Sequence, residues 1–586
     1  MSIANMIALL GGLAFFLFGM SLLGEGLKRV AGSKMEIILG NLTSTTFKGV
    51  LLGTLVTAVI QSSSATTVMV VGFVNSGIMK LANAIGIIMG ANIGTTATGW
   101  ILVLAGVEGN GGFSSATVFA LVAFIGIIFY FFCQKQSTKN LGMILLAFSV
   151  LMSGMQAMSG AMEPLKESQA FLNFISAVSN PLVAILVGIV VTAIIQSCSA
   201  SIGILQALSV TGVIGYDVAI PMVIGMCIGA CVPVLFSAIG ANINGKRTAF
   251  TYLLFNLSGA VLLMLPFYAV NLFVRLDLMS LPATSLGIAV VNTVFKVGAT
   301  LLLAPFSGLL VKLVAALVKD KSGAEEEDYE ENLLDDRFLD YPPLALEQSG
   351  KTMDQMSGAS FKNIRNSIEL LAHFDSEKYN KIMSREGKVD RFEDRLGSYL
   401  VRLHAKQLDD GEYQLSARYL SFLTNVERIS DHSVGIADLA KELHEKKTGF
   451  SPQALHDLTI CTEAIMEICE LTKTSMENTD YMLAGKVKPL KEIVNIMSKK
   501  LKDGHVHRVQ KGHCTLELGF IFNDLLNNFE RVAAHCANIA ITILESQDAN
   551  LKSHDYVSTL DRSDQNTYEL QLQFYKNKYV DSIEKE

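Results

Sequence analysis

The chain has 586 residues, half of them hydrophobic, with a mean hydropathy of +0.40 and a formal net charge of −7. Such a mean excludes an ordinary soluble globular protein of this size, and the net charge averages two unlike parts. Residues 1–320 hold 14 Lys+Arg and 8 Asp+Glu, which leaves 33 and 46 for residues 321–586 and a net of −13 there; all ten histidines also fall in that second part. The first part reads as lipid-solvated and the second as water-solvated.

A membrane-spanning helix needs about 20 apolar residues. Segments of that kind cover roughly residues 5–24, 82–104, 114–133, 141–160, 217–240, 249–273 and 284–310, with Lys296 blurring the limits of the last. The first has no basic leader or small-residue cleavage site before it, so it reads as a retained helix and not a signal peptide. Two further apolar stretches, residues 46–75 and 181–212, are broken by Gln61-Ser62-Ser63-Ser64 and Gln196-Ser197-Cys198-Ser199. Their halves, about 12 residues each, are too short to cross alone. They read as re-entrant hairpins, whose irregular backbone is tolerated where it lines a cavity.

The hairpins belong to an internal repeat. Val56 to Ala65 matches Val191 to Ala200 at an offset of 135, and the same register pairs Gly19 with Gly154, Gly53 with Gly188, Gly90 with Gly225 and Gly94 with Gly229. Basic residues gather at Lys28, Arg29, Lys34 and Lys48, at Lys135 and Lys139, at Lys246 and Arg247, and from Lys312, whereas residues 106–112 carry none. By the positive-inside rule this places the N-terminus outside, with three spanning helices and one hairpin per repeat. Three is odd, so the second repeat is expected upside down relative to the first, the architecture of secondary transporters. The expected fold is all-α: a polytopic membrane domain over residues 1–319 (repeats about 1–135 and 136–275, extra helix about 284–310), an acidic linker over 320–350 containing Glu325-Glu326-Glu327-Asp328, and a soluble helical bundle over 351–586. In that bundle, Leu415, Tyr419, Phe422, Val426 and Ile429 alternate steps of four and three along one helix face.

Chemistry concentrates at the doubled polar run. Helix N-termini favour anions, serine hydroxyls donate to phosphate oxygens, and Gln and Ser oxygens suit a hard cation such as Na⁺. Packing of small residues is the bland alternative, and the duplication at a helix break argues against it. Together with Gly90-Ala91-Asn92-Ile93-Gly94-Thr95-Thr96, the two runs resemble the type II sodium–phosphate cotransporter family and its bacterial relatives over most of residues 1–310. The resemblance implies phosphate held by Gln61, Ser62, Ser63, Ser64, Gln196, Ser197, Cys198 and Ser199. It implies sodium, the coupling ion, held by Gln61, Ser64, Asn92, Thr95, Thr96, Gln196 and Ser199. The chain departs from the pattern at Cys198, a weaker donor than Ser63, and at Met226-Cys227, where the first repeat has Ala91-Asn92. No carboxylate follows Ser64, which leaves the ion ratio open. Asp217, the one acid near a motif helix, reads as an interfacial solvated group in preference to a coupling residue.

In the second part, Asn425-Val426-Glu427-Arg428-Ile429-Ser430-Asp431-His432 and its degenerate copy Asn528-Phe529-Glu530-Arg531-Val532-Ala533-Ala534-His535 resemble the signature of PhoU domains, six-helix cytoplasmic regulators of phosphate physiology. Glu427 with Asp431, and Glu386 with Asp390, stand at i and i+4 on a helix face. The resemblance implies that such pairs hold a divalent or iron-type metal; Ala534 removes one ligand from the second copy. His505, His507 and His513 read as a mobile basic loop. The eight cysteines show no zinc spacing or disulfide framework.

The expectation is sodium-coupled secondary transport of inorganic phosphate across a bacterial cytoplasmic (inner) membrane, regulated by a cytoplasmic C-terminal domain. Partners are phosphate, sodium and the lipid bilayer, with a homodimer left open and no nucleic acid. A phosphate exporter and a phosphate sensor signalling through the bundle are the alternatives. A channel lacks charged pore rings, and an enzyme lacks acid–base groups, because the apolar part has no histidine and few acids.

Overall fold

A computed structural model describes residues 3–31, 45–103, 115–319, 334–406, 408–511, 514–547 and 562–584. The described residues are almost wholly helical, with a single isolated bridge between Gly215 and Pro282. Lys34, residues 106–112, Glu325 to Asp328 and His513 lie outside them. The chain forms two compact units, Met1–Pro343 and Leu344–Glu586.

In the first unit, α1 (Ile3–Ala31) precedes a hairpin of two short helices, α2 (Thr46–Ile60) and α3 (Ser63–Asn75). Next come α4 (Leu81–Gly94) and α5 (Thr96–Val103), one apolar segment interrupted at Thr95, and then α6 (Ser115–Phe132). The order repeats with α7 (Gln136–Met162), α8 (Gln169–Val178), the hairpin α9 (Pro181–Ile195) and α10 (Cys198–Ser209), the interrupted pair α11 (Tyr216–Gly229) and α12 (Cys231–Ser237), and α13 (Ile243–Val274). The unit closes with α14 (Ser285–Leu303) and α15 (Ser307–Leu317). Among the described residues, six helices or interrupted pairs are long and apolar enough to cross a membrane; α6, expected as a seventh, is described over 18 apolar residues from Ser115. The segment over 284–310 runs on to Leu317, and Lys296 lies in mid-helix, buried to 2% exposure.

The offset of 135 reappears as geometry. A Cβ on Gly53 would overlap the Ile87 carbonyl, and one on Gly188 would overlap the Met222 carbonyl, so each hairpin's first helix lies directly against the next interrupted pair. Small residues permit that approach. Between α1 and α7, Gly12 meets Met158, Gly19 meets Leu151 and Gly26 meets Ile144. One index rises as the other falls, so these two corresponding helices run antiparallel. Gly154 in turn meets Phe16, the counterpart of Leu151, which makes the contact reciprocal.

Residues 335–341, expected in the acidic linker, pack against the first unit. Asp335 accepts from Asn75 Nδ2 at 2.7 Å and pairs with Arg337 Nη1 at 2.7 Å, while Arg337 Nε donates to the Ser237 carbonyl at 3.0 Å. Phe338 is fully buried against Gly72 and the Phe73 ring, centroids 5.5 Å apart. Helix α16 (Pro342–Ala372) therefore begins inside the stretch expected as linker, with proline at its start, where a missing N–H costs nothing.

The second unit continues α16 and adds α17 (Ser376–His404), α18 (Asp410–Glu445), α19 (Pro452–Asn478), α20 (Tyr481–Gln510) and α21 (Leu516–Glu545). A reciprocal capping box at Asp409 and Glu412 starts α18. His505 and His507, expected in a loop, lie in α20. His505 sits in α20 on the face of Met497 and Leu501, four residues apart, and stacks on Phe522 with centroids 5.3 Å apart. Burial moves its pKa down, as desolvation disfavours the charged ring.

Gly90→Val and Gly225→Val would each drive a branched side chain into a neighbouring carbonyl. Each is expected to cost about 1–3 kcal/mol or more, read as a lower Tm in detergent. Gly160→Ala, which faces open space, should stay within about 0.5 kcal/mol of the parent.

Candidate functional site

Both hairpins turn on a glutamine. Gln61 has φ 60° and ψ 18°, Gln196 has φ 59° and ψ 18°, and each donates its backbone N–H to the threonine four residues back, Thr57 (2.8 Å) and Thr192 (2.7 Å). A left-handed non-glycine residue costs of order 1–3 kcal/mol, and Arg275, Lys447 and Thr479 share that backbone conformation. The following serines cap the second half-helices: Ser62 Oγ accepts from Ala65 N and Ser197 Oγ accepts from Ala200 N, both at 3.2 Å. Beyond each cap, the first N–H groups of α3 and α10 have no partner of their own within the helix.

A cavity of about 360 Å³ joins the two tips. Gln61, Ser62 and Ser197 line one wall, and Ser21, Glu25 and Lys28 of α1 stand opposite. A larger groove of about 700 Å³ between α13 and the α14–α15 segment is walled by Leu, Val and Phe with one serine, and suits an acyl chain and not an anion.

The other expected site residues take different places. Gln61 is buried, accepts from Thr98 Oγ1 at 2.6 Å and donates to the Ala58 carbonyl. Gln196 is exposed and has no side-chain partner among the described residues. The position matching Thr98 is Pro233, which carries no hydroxyl. Ser63 and Cys198, one residue behind the caps, are buried away from the cavity: Ser63 Oγ lies 3.3 Å from Tyr252 Oη, and Lys296 Nζ lies 3.7 Å from Cys198 Sγ. Ser64 Oγ donates to the Ala230 carbonyl at 3.4 Å, and Ser199 is buried. Asn92, Thr95 and Thr96 flank the α4–α5 break and donate back to their own turn, at Ile88 (3.2 Å), Ala91 (2.8 Å) and Ile93 (2.7 Å). No hydrogen bond joins them to either tip among the described residues. Asp217, half-buried in the first turn of α11, sits where a helix N-terminus stabilises an acid.

Sequence reasoning missed Thr98, Tyr252 and the role of Lys296. Lys296 alone was visible, as a lone cation in an apolar helix. Among the described residues, buried oxygens without a hydrogen-bond partner in the hairpins and α13 include Thr67 Oγ1, Thr192 Oγ1, Gln206 Oε1 and Asn256 Oδ1.

In the second unit, carboxylate oxygens of Glu386, Asp390 and Asp431 lie within 4.8 Å of one another. Burial, with the charges of Asp390 and Asp431, raises the Glu386 pKa; burial and Asp431 push Glu427 up to about 7. Glu427 stands beside this trio, bridged to Asp431 through Arg428 at 3.4 and 3.0 Å. The second signature copy differs. Glu530 pairs with Lys502 at 2.8 Å and accepts from Ser498; these contacts hold its pKa down against burial. The two copies meet reciprocally, with His432 Nδ1 2.9 Å from Asn528 Oδ1 and His535 Nδ1 3.0 Å from Asn425 Oδ1.

Comparison with known proteins places these features. Residues 15–160 and 154–293 match the Na⁺/Pi-cotransporter family, and residues 353–440 match the PhoU domain. A Bacillus subtilis protein known as YqeW and uncharacterised is 32% identical over 311 residues, covering 52% of this chain and 96% of its own. The YjbB protein of Salmonella typhimurium, provisionally named for inorganic phosphate export, is 23% identical over 560 residues, 94% of this chain and all of its own. Sodium-dependent phosphate transport protein 2B of Homo sapiens is 38% identical over 122 residues, 20% of this chain and 18% of its own.

Gln196→Gly should relieve backbone strain without losing a side-chain hydrogen bond, raising stability by about 1 kcal/mol. Gln61→Gly gives up two hydrogen bonds as well and should show no such gain. Thermal unfolding of the two variants in detergent compares them.

Proposed function

The chain belongs to the Na⁺/Pi-cotransporter family, and from this premise we propose that it couples movement of inorganic phosphate to sodium at the paired hairpin tips. The observation that carries the reading is one cavity lined by Gln61 and Ser62 of one hairpin and Ser197 of the other. Phosphate accepts hydrogen bonds from serine hydroxyls and from free N–H groups at the starts of α3 and α10. Sodium needs acceptors only, and the unpartnered oxygens of Thr67, Thr192 and Asn256 supply that chemistry. The antiparallel packing of α1 on α7 supports an inverted repeat, in which exchanging the conformations of the two halves moves access from one side to the other. Gln61 is buried and Gln196 exposed, the asymmetry such an exchange would reverse.

The second unit acts as a cytoplasmic regulator in this reading. Residues 335–341, the chain just before the second unit, pack against α3 of the first hairpin. Glu386, Asp390 and Asp431 would hold a divalent or iron-type metal, whose charge relieves their mutual repulsion. Export of excess phosphate is the second reading of direction, favoured by the full-length similarity to YjbB.

Labelled phosphate flux in proteoliposomes under an imposed Na⁺ gradient, with a K⁺ control, tests the main reading. Na⁺-dependent accumulation should fall at least tenfold in Gln61→Ala and Gln196→Ala; binding without flux would shift the reading to a sensor. Vesicles of known orientation separate import from export. Metal content and affinity of the full chain should drop about 10-fold or more in Asp390→Asn and Asp431→Asn, and stay unchanged in Glu530→Gln.

A further inference from the structure

Lys296 is the most deeply placed cation of the first unit, and no carboxylate lies within ion-pair distance of it among the described residues. Its ammonium touches Cys198 Sγ at 3.7 Å, and Cys198 is the first residue of α10, directly behind the cap Ser197 that lines the cavity. Cys198 Sγ is a weak acceptor and neutralises little charge. The other side chains gathered near it, Cys227, Cys231, Asn256 and Asn292, bring no negative charge either: Cys227 Sγ lies 3.7 Å from Asn292 Oδ1 and Asn256 Nδ2 lies 3.4 Å from Cys231 Sγ.

This arrangement puts two positive features together. The N-terminus of α10 carries the positive end of its dipole, and a full ammonium stands beside its first residue. A charge deep in a membrane is tolerated when it is paired or serves transport. Here the contact is the Cys198 thiol and no carboxylate stands within ion-pair distance among the described residues, which leaves room for an anion from outside. At the matching position of the first hairpin, Ser63 meets the neutral Tyr252 hydroxyl instead. At the cavity itself Lys28 stands with the carboxylate Glu25, so Lys296 is the cation near the tips that has no carboxylate beside it among the described residues.

We infer that Lys296 is the intramembrane counter-charge of the transported oxyanion, setting the site's selectivity for an anion and contributing to phosphate affinity through the second hairpin. The inference rests on the proposed phosphate site. It adds a residue from outside both polar motifs, and it assigns to a lysine the charge balance that serine hydroxyls and backbone N–H groups do not provide. Attraction through a medium of low dielectric makes that charge felt beyond direct contact.

The test uses the full chain in two assays. In detergent, inorganic phosphate should raise the Tm of the parent protein and of Lys296→Arg, and should leave Lys296→Met unshifted. In proteoliposomes, Lys296→Met should raise the phosphate KM roughly 10- to 100-fold, while Lys296→Arg stays within about threefold. Removing a buried unpaired charge should keep or raise the Tm of Lys296→Met without phosphate, so misfolding would not mimic the effect. A Lys296→Met protein whose phosphate-induced shift and KM match the parent overturns the role of Lys296 and leaves the hairpin site standing. A parent protein that neither shifts with phosphate nor transports it overturns the site itself.

Discussion

Inside a bilayer the backbone must satisfy its own hydrogen bonds, because no water is there to accept or donate. The first unit depends on a controlled breach of that rule. Two hairpins stop a helix in the middle of an apolar segment, reverse it through a left-handed glutamine, and start a new helix capped by serine. The reversal leaves the first amide donors of each new helix without carbonyls of that helix to meet, whereas a helix passing straight through would have used them. Much of the surrounding packing serves this breach. Glycines let α4 and α11 lie against the first hairpin helices backbone to backbone, and Thr57 locks onto Thr66 at 3.0 Å across the first turn. Rigid support matters, since a strained residue persists only when its neighbours over-determine it.

Electrostatics build on that geometry. Serine hydroxyls line the cavity at both tips, and Thr67, Thr192 and Asn256 hold buried oxygens without a partner. Lys296 lies against the start of the second hairpin's α10, and the neutral Tyr252 hydroxyl lies against the matching residue of the first.

The second unit shows the same divergence within a duplicated plan. Its two signature copies exchange His–Asn contacts about a local two-fold, and the rings of His432 and His535 stack with centroids 5.7 Å apart. Around that shared axis the charges differ. One copy crowds three carboxylates together, and the other meets Glu530 with a lysine. Lys502 meets Glu530 in the second copy, and Arg428 meets Glu427 and Asp431 in the first, where Glu386 and Asp390 add further carboxylates.

The sequence by itself determined the helical class, the lipid-solvated and water-solvated parts, the repeat with its offset of 135, and the residues of the two tips. Those features are local or periodic: hydropathy, glycine register and a polar run inside an apolar segment are readable without contacts. It also carried the signature that places the carboxylates of the second unit on shared helix faces. The tertiary structure decided the rest. Two glutamine turns of the same backbone geometry differ in burial: Gln61 is buried and meets Thr98, Gln196 is exposed, and the position matching Thr98 is Pro233. Residues 335–341 look like linker by composition, yet Phe338 finds the space left by Gly72. His505 looks like part of a polar loop, yet helix periodicity turns it onto Phe522. Lys296 lies 98 positions from the thiol it touches. Each outcome depends on which distant surface meets the residue, and only the folded chain brings those surfaces together.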